Sequence, residues 1–304
     1  MVLALLWPLA AIWAAEAPDV IERAILVAQS GKPEQARAQL QPLAESGNTR
    51  AQFGLGLILE GPLKRPDEAA LWCRRAAIAG HVEAENSLGA LFFEGRGVPR
   101  NFDEALYWYR ASANRDHAPA QFNLGMMIGR GQGVKPNPGE MVKWLERAAA
   151  GGHNRAQAQL GRLYLEAVGV QRDVTQALYW FERAAAQDNP WGQYFLGIHR
   201  KSGDGIRRDV QGAIVLFEKA ATQGHIPATH ELGIAYETGL AGPPNAQRAI
   251  EHYEHAAGRN HVPSVRRLTA IFTRGELGFY VNLERARHWG QKLNAAIRDG
   301  MPDQ

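Results

Sequence analysis

The sequence predicts an all-α fold built from about eight helix-turn-helix repeats, and three observations lead to this prediction. Seven segments share one plan, and they begin at Ala51, Ala84, Ala120, Ala156, Gly192, Ala228 and Ser264. The first spacing is 33 residues and the next five are 36 residues each, which is a period typical of stacked helix pairs. Within one segment, Ala120, Leu124 and Ile128 recur at helical spacing. A Leu-Gly pair recurs near the start of six segments.

The composition of the 304-residue chain is that of a folded protein, with 45% hydrophobic and 21% charged residues. The net charge is +3, and the basic residues are mixed with 31 acidic ones, so nucleic-acid binding is not expected. One cysteine, Cys73, is present, so this chain cannot form an internal disulfide. Because Cys73 follows Trp72 in an apolar stretch, we interpret it as a small buried side chain.

Residues 1–17 are predicted to be a signal peptide that is cleaved within residues 14–17. The apolar run from Val2 to Ala14 is shorter than the roughly 20 residues that a membrane-spanning helix needs. No later segment is apolar enough for a span, so stable membrane insertion is not expected. We therefore expect a periplasmic or secreted protein; a retained inner-membrane anchor is the alternative.

The first helix of each repeat carries the Leu-Gly pair. The pairs are Leu55-Gly56, Leu88-Gly89, Leu124-Gly125, Leu160-Gly161, Leu196-Gly197 and Leu232-Gly233. Glycine inside a helix costs about 1 kcal/mol relative to alanine, so its recurrence at one position indicates a packing requirement. We expect the missing Cβ to let the second helix approach closely, with a column of alanines on the opposite side of the contact.

The second helix of each repeat combines small and bulky residues. Five tryptophans recur at one position of this helix: Trp72, Trp108, Trp144, Trp180 and Trp289. An Ala pair follows in most repeats, as at Ala148-Ala149. We expect the tryptophan column to bury a large surface between neighbouring repeats.

The loops between and within repeats contain turn and capping residues. Gly95 and Gly131 are placed to end first helices with positive φ. Six polar residues precede second helices and are predicted N-caps: Asn101, Asn137, Asp173, Asp209, Asn245 and Asn282. Glu104, Glu140 and Gln176 follow three residues later, which would complete capping boxes.

Residues 19–50 are predicted to be a shortened N-terminal repeat, and residues 51–300 to be seven full repeats. Residues 301–304 would form a polar tail. The last repeat has Leu268-Thr269 in place of Leu-Gly and one extra loop residue before Ala286. Atypical end repeats are expected because one side of an end repeat faces water.

The repeated phrase AxxxLGxxYxxGxGVxxDxxxAxxWxxxAAxxGH resembles the Sel-like repeat (SLR) family of the tetratricopeptide superfamily. The fourth segment carries the phrase most completely, with Leu160-Gly161, Tyr164, Asp173 and Trp180. The resemblance implies a right-handed α/α solenoid whose first helices line a concave groove. It also implies an exported, non-catalytic adaptor or scaffold, with roles in envelope regulation or assembly among the possibilities.

A second function comes from a cysteine-rich exported branch of the same family. The resemblance to that branch would imply a peptidoglycan-fragment or β-lactam-binding protein with weak β-lactamase-like activity. This chain lacks the paired cysteines of that branch and has no Ser-x-x-Lys phrase, which disfavours a serine β-lactamase. The non-catalytic adaptor is therefore the preferred interpretation.

No catalytic, cofactor-binding or metal-binding residues are identified. Histidines recur once per repeat, at His81, His117, His153, His225 and His261. Because stacked helix layers place these copies roughly 20 Å apart, they cannot share one ion. We interpret them as turn residues that bond to local backbone. His252 and His255 lie three residues apart on one helix, but no third ligand is evident.

A protein or peptide partner, of unknown identity, is expected to bind the groove. By analogy with tetratricopeptide grooves, the variable first-helix positions flanking Leu-Gly should face inward. These are Asn86, Phe122, Asn123, Met126, Arg130, Gln159, Arg162, Tyr194 and Phe195. Amides and arginines can bond to a peptide backbone or carboxylate, and the aromatic residues can receive apolar side chains.

Overall fold

The computed structural model describes residues 19–298, and every regular element in this range is an α-helix. The predicted signal peptide and the tail 301–304 lie outside the described residues. The first eight helices are α1 (Val20–Gln29), α2 (Pro33–Glu45), α3 (Thr49–Glu60), α4 (Pro66–Ile78), α5 (Val82–Glu94), α6 (Phe102–Ala113), α7 (Ala118–Arg130) and α8 (Pro138–Ala150). The next eight are α9 (Asn154–Glu166), α10 (Val174–Ala186), α11 (Pro190–Ser202), α12 (Val210–Thr222), α13 (Ile226–Thr238), α14 (Ala246–Gly258), α15 (Val262–Arg274) and α16 (Leu283–Arg298). The all-α prediction is confirmed.

The helices belong to two compact units, one ending at Gly151 and the other beginning at Gly152. The first unit contains α1–α8 and the second contains α9–α16. Inside each unit, every helix packs against the next helix along the chain. Each unit is therefore a row of helix pairs, as the repeat period predicts.

The recurring glycine faces a second-helix side chain that we did not expect, and in two repeats it also faces the backbone carbonyl of an alanine, Ala69 or Ala177. A Cβ added to Gly161 would lie 2.6 Å from Cε1 of Phe181, and one added to Gly233 would lie 2.5 Å from Cε1 of Tyr253. The six residues in this facing column are Cys73, Tyr109, Leu145, Phe181, Phe217 and Tyr253, and all are buried. The glycine therefore provides room for a large side chain of the second helix in five of the six repeats, and for Cys73 in the first. Some of the alanines pack elsewhere, since Ala184 contacts Gly192 at the start of the next repeat.

The prediction that the tryptophan column is buried is only partly correct. Trp72, Trp108, Trp144 and Trp180 are half-buried, while Trp289 is buried. Cations lie over the exposed faces of several of these rings: the guanidinium of Arg75 is 4.5 Å from the Trp72 centroid, and that of Arg147 is 4.7 Å from Trp144. In the four repeats with a half-buried tryptophan, the residue that follows it fills the interior of the pair: Cys73, Tyr109, Leu145 or Phe181.

All six predicted N-caps of the second helices are confirmed. The side chain of Asn101 accepts from the amide of Asp103 at 3.0 Å, and that of Asp209 accepts from Gly212 at 2.8 Å. Asn137, Asp173, Asn245 and Asn282 make the equivalent bond at 3.0–3.1 Å. Gly95 and Gly131 end first helices with φ of 73° and 70°, as predicted.

The capping boxes do not form, because the cap amide already has another acceptor. The backbone N–H of Asn101 donates to the carbonyl of Phe92 at 2.9 Å, and that of Asn245 donates to Tyr236 at 2.8 Å. The same bond joins Arg65 to Leu59 at 2.7 Å and Asn282 to Phe272 at 2.8 Å. Each loop is thus closed by one bond from the start of the second helix to the first helix.

Candidate partner-binding surface

Each of the six 13-residue first helices from α5 to α15 presents one polar or mixed stripe to solvent. The stripe consists of the second, sixth, ninth and thirteenth residues, which share a face at helical spacing. Every one of these positions is exposed or partly exposed. We call this stripe the first-helix surface.

Six of the nine predicted partner-binding residues belong to the first-helix surface. They are Asn123, Met126, Arg130, Gln159, Arg162 and Phe195, and all are exposed or partly exposed. The surface is assigned separately in each unit, with the first three residues in unit one and the last three in unit two. Their role in binding stays a prediction.

The other three predicted residues, Asn86, Phe122 and Tyr194, occupy the fifth position of their helices. Phe122 is only 8% exposed and packs in the interior. The Oδ1 of Asn86 accepts from Nδ2 of Asn123 at 3.1 Å, which joins the first helices of two neighbouring repeats. Neighbouring first helices therefore lie closer than the roughly 20 Å expected for successive repeats. Tyr194 packs against the ring of His225 at 4.8 Å between centroids. This position therefore serves packing between elements more than it serves the solvent-facing stripe.

An aromatic cluster on α11 stands out on the first-helix surface of unit two. The ring of Phe195 stacks on Phe181 at 4.9 Å and lies 6.1 Å from Trp191. Trp191 meets the ring of His225 edge to face at 4.4 Å. Burial raises the pKa of the Tyr194 hydroxyl to about 12, so Tyr194 is a neutral member of the cluster. Trp191 was missed in the sequence because it precedes the Leu-Gly pair by five residues, outside the flanking positions considered.

The recurring histidines cap helices, as their interpretation as turn residues predicts. Nδ1 of His153 accepts from the amide of Ala156 at 3.1 Å, and Nδ1 of His225 accepts from Ala228 at 3.2 Å. His117 differs, because its Nδ1 lies 3.1 Å from Oγ of Ser112. Burial lowers the pKa of His225 to about 4, so at neutral pH its ring is neutral and Nδ1 is available as an acceptor.

Other reactive groups are engaged in packing. Burial raises the pKa of the Cys73 thiol to about 12, which is consistent with a buried structural side chain. His252 stacks on Tyr236 with 5.3 Å between centroids. Between residues 19 and 298, no three histidine, cysteine or acidic side chains are grouped closely enough to hold a metal ion. None of the helices in that range combines the length and the apolarity needed to cross a bilayer.

Comparison with known proteins identifies the repeat. The family model described as "Sel1 repeat" matches residues 49–81, 82–117, 118–153, 154–189, 192–225 and 226–261. A Sel1 repeat protein from Oxalobacter formigenes is 29% identical, with a TM-score of 0.74, over 80% of this chain and 96% of that one. The protective antigen c5321 of uropathogenic Escherichia coli, which displays an SLR fold, is 31% identical with a TM-score of 0.56. That match covers 85% of this chain and 64% of the antigen. The comparison with curated proteins finds no match.

Proposed function

Because the chain belongs to the Sel1 repeat family, whose proteins typically act as protein-interaction scaffolds, we propose that it is a non-catalytic adaptor that binds a protein or peptide through its first-helix surface. The observation that carries this proposal is that the packed and the solvent-facing positions of each first helix differ in how much they vary. The leucine, glycine and alanine columns are used in packing, whereas the stripe that faces solvent varies from repeat to repeat.

The chemistry of the stripe suits a peptide partner. In unit one it offers the amide of Asn123, the thioether of Met126 and the guanidinium of Arg130. In unit two it contains the amide of Gln159, the guanidinium of Arg162 and the ring of Phe195. Amides and guanidinium groups can bond to backbone carbonyls and carboxylates, while methionine and aromatic residues are enriched in protein interfaces. We further propose that the stripe lines a concave groove within each unit.

We also propose that the chain is exported to the periplasm or the medium and acts in regulation or assembly at the cell envelope. The support is the composition of residues 1–17, with an apolar run that ends in small residues. The intact mass of the mature protein tests export. We expect the mass of a chain that begins after one of residues 14–17, and a full-length mass in the membrane fraction would contradict it.

Site-specific photocrosslinking tests the adaptor function. A photoreactive amino acid is placed at Met126 or Gln159 on the first-helix surface, and at Tyr107 or Tyr179 on second helices as matched controls. All four positions are at least partly exposed. We expect a discrete partner adduct in the native cell from the first pair of positions, and direct binding of the purified partner in vitro. Adducts from the control positions alone would refute the proposed surface.

A further inference from the structure

The aromatic cluster on α11 includes an apolar patch within the second unit. We call Trp191, Phe195 and Ile198 the Trp191 patch; they lie on one face of the helix because they are separated by four and three residues. Trp191 is 47% exposed, and the other two are partly exposed. Tryptophan is among the residues that most often dominate binding energy at protein interfaces. A half-exposed tryptophan held by neighbouring rings is thus a rigid anchor for an apolar group.

A buried polar atom behind this patch lacks a partner. His225 is 6% exposed and packs against both Trp191 and Tyr194. Its Nδ1 accepts from a backbone amide, so the neutral ring carries its proton on Nε2. Nε2 has no hydrogen-bond partner among the described residues. A buried donor without an acceptor is unfavourable, so the packing of His225 against Trp191 leaves one polar group unsatisfied.

One cation on the neighbouring first helix can pair with an acidic ligand. The neighbouring first helix α9 contacts α11 and presents Arg162 on the same stripe. Arg162 pairs with Glu166 on its own helix at 3.1 Å, and both side chains are more than 40% exposed. Such an exposed pair contributes little to stability, so a ligand carboxylate can replace Glu166. On the other side, Lys201 and Glu231 already pair with each other.

We propose that the Trp191 patch and Arg162 together bind a peptide segment of a partner protein in which a large apolar side chain lies within three residues of an aspartate or glutamate. Packed helices are about 8–10 Å apart, and three residues of extended chain span about 10 Å, which sets this spacing. The proposal rests on the adaptor function and adds the sequence character of the partner.

Selection of peptides on the purified full-length chain tests the proposal. The probe is a random twelve-residue phage-displayed library. We expect the selected peptides to be enriched in Asp or Glu within three residues of Phe, Trp or Leu. Selected sequences that are apolar without acidic residues, or basic, would overturn the proposal, as would failure to enrich any peptide.

Variants locate the binding site of the selected peptides. Trp191→Ala should weaken binding about tenfold or more, as expected for an interface anchor, and Arg162→Gln should weaken it severalfold. Arg162→Gln disturbs only an exposed ion pair, so it tests the site even if Trp191→Ala folds poorly. Tyr107→Ala removes an aromatic side chain that is 63% exposed on α6 and should leave the affinity unchanged. Unchanged binding by Arg162→Gln and by folded Trp191→Ala overturns the proposal.

Photocrosslinking separates failure of this inference from failure of the adaptor function. A photoreactive residue at Phe195 should yield an adduct whose peptide contains the predicted acidic and apolar pair. An adduct from Met126 but none from Phe195 would leave the adaptor function intact and refute the Trp191 patch. The absence of adducts from Met126, Gln159 and Phe195 would refute both proposals. Adducts between two copies of this chain at Phe195 would also overturn the proposed occupant.

Discussion

Replacing Gly161 by alanine is expected to reduce the stability of the second unit, although alanine is the better helix former. A Cβ at this position would lie 2.6 Å and 2.8 Å from Cε1 and Cδ1 of Phe181 and 3.0 Å from the carbonyl oxygen of Ala177. Favourable carbon contacts begin at about 3.5 Å, so the ring would have to shift by nearly 1 Å. Phe181 is fully buried, and packed protein interiors contain few voids into which its ring could move.

The magnitude follows from two opposing contributions. Inserting a methyl group into a packed core costs about 1–3 kcal/mol, while alanine gains about 1 kcal/mol over glycine in a helix. Gly290 in α16 supplies the matched control, because a Cβ there would meet nothing within 4 Å. The helix-propensity gain cancels between the two variants. The free energy of unfolding should therefore be about 1–3 kcal/mol lower for Gly161→Ala than for Gly290→Ala.

Urea denaturation followed by circular dichroism gives the midpoints of the two variants. Because helical repeats can unfold separately, amide hydrogen exchange in α9 and α10 should be measured as well. Adding Phe181→Leu to Gly161→Ala should recover part of the lost stability. In the preceding repeat, Leu145 already occupies the position of Phe181 and faces Gly125. Equal stabilisation by Gly161→Ala and Gly290→Ala would refute the close approach as the reason for the glycine column.

Four further predictions concern three single side chains and the activity of the purified protein. Glu85→Gln should raise the stability at neutral pH by about 1 kcal/mol. Glu85 is 6% exposed with Oε2 unpaired, whereas the Gln121 Nε2 at the same repeat position donates to a backbone carbonyl at 3.1 Å. Burial raises the pKa of Glu85 above its usual 4.5, although Arg115 opposes this shift. The stability difference between Glu85→Gln and the unmodified protein should therefore vanish as the pH falls below 4.5. A stability difference that stays constant with pH would contradict this. Burial lowers the pKa of His225 from 6.5 to about 4, so His225 stabilises the fold fully above pH 6.5 and less as the pH falls toward 4. His225→Asn, which keeps a capping side chain, should flatten this part of the pH dependence of the urea midpoint, and an unaltered slope would argue against it. Cys73 should react with a thiol reagent at a negligible rate in the native protein and rapidly in urea, because burial raises the pKa of the thiol to about 12; rapid native reaction would disprove its burial. Purified protein should show no nitrocefin turnover, and measurable hydrolysis would revive the β-lactam interpretation.

The sequence predicts the helix pairs and their caps because these depend on local chemistry. The glycine that ends α5, Gly95, and the cap residue Asn101 act on backbone a few residues away, so their types and spacing suffice. The failure of the capping boxes has a longer-range cause. The amide of Asn101 bonds to Phe92 across the loop, and this acceptor is apparent only once the pair has folded.

The sequence does not predict which residue faces the glycine column, nor how each first helix is rotated about its axis. A second apolar residue follows the tryptophan directly in four repeats, such as Phe181 after Trp180, but the period does not determine which of the two faces the glycine. Similarly, the fifth residue of a first helix is packed and the sixth faces solvent, so an error of one position in placing the helix face reverses the prediction. Phe122 and Asn123 are neighbours in the sequence, yet Phe122 is buried and Asn123 is partly exposed.

One hydrogen bond closes each loop, so the alignment of the two helices does not depend on the length of the loop between them. The amide donor and its acceptor carbonyl are six residues apart at Arg65 and Leu59, nine at Asn101 and Phe92, and ten at Asn282 and Phe272. Since the same two anchor atoms meet in all three cases, residues can be gained or lost between them while the helices keep their alignment. These connections are thus natural points for insertion, where a tag or a foreign epitope could be grafted without disturbing the stack.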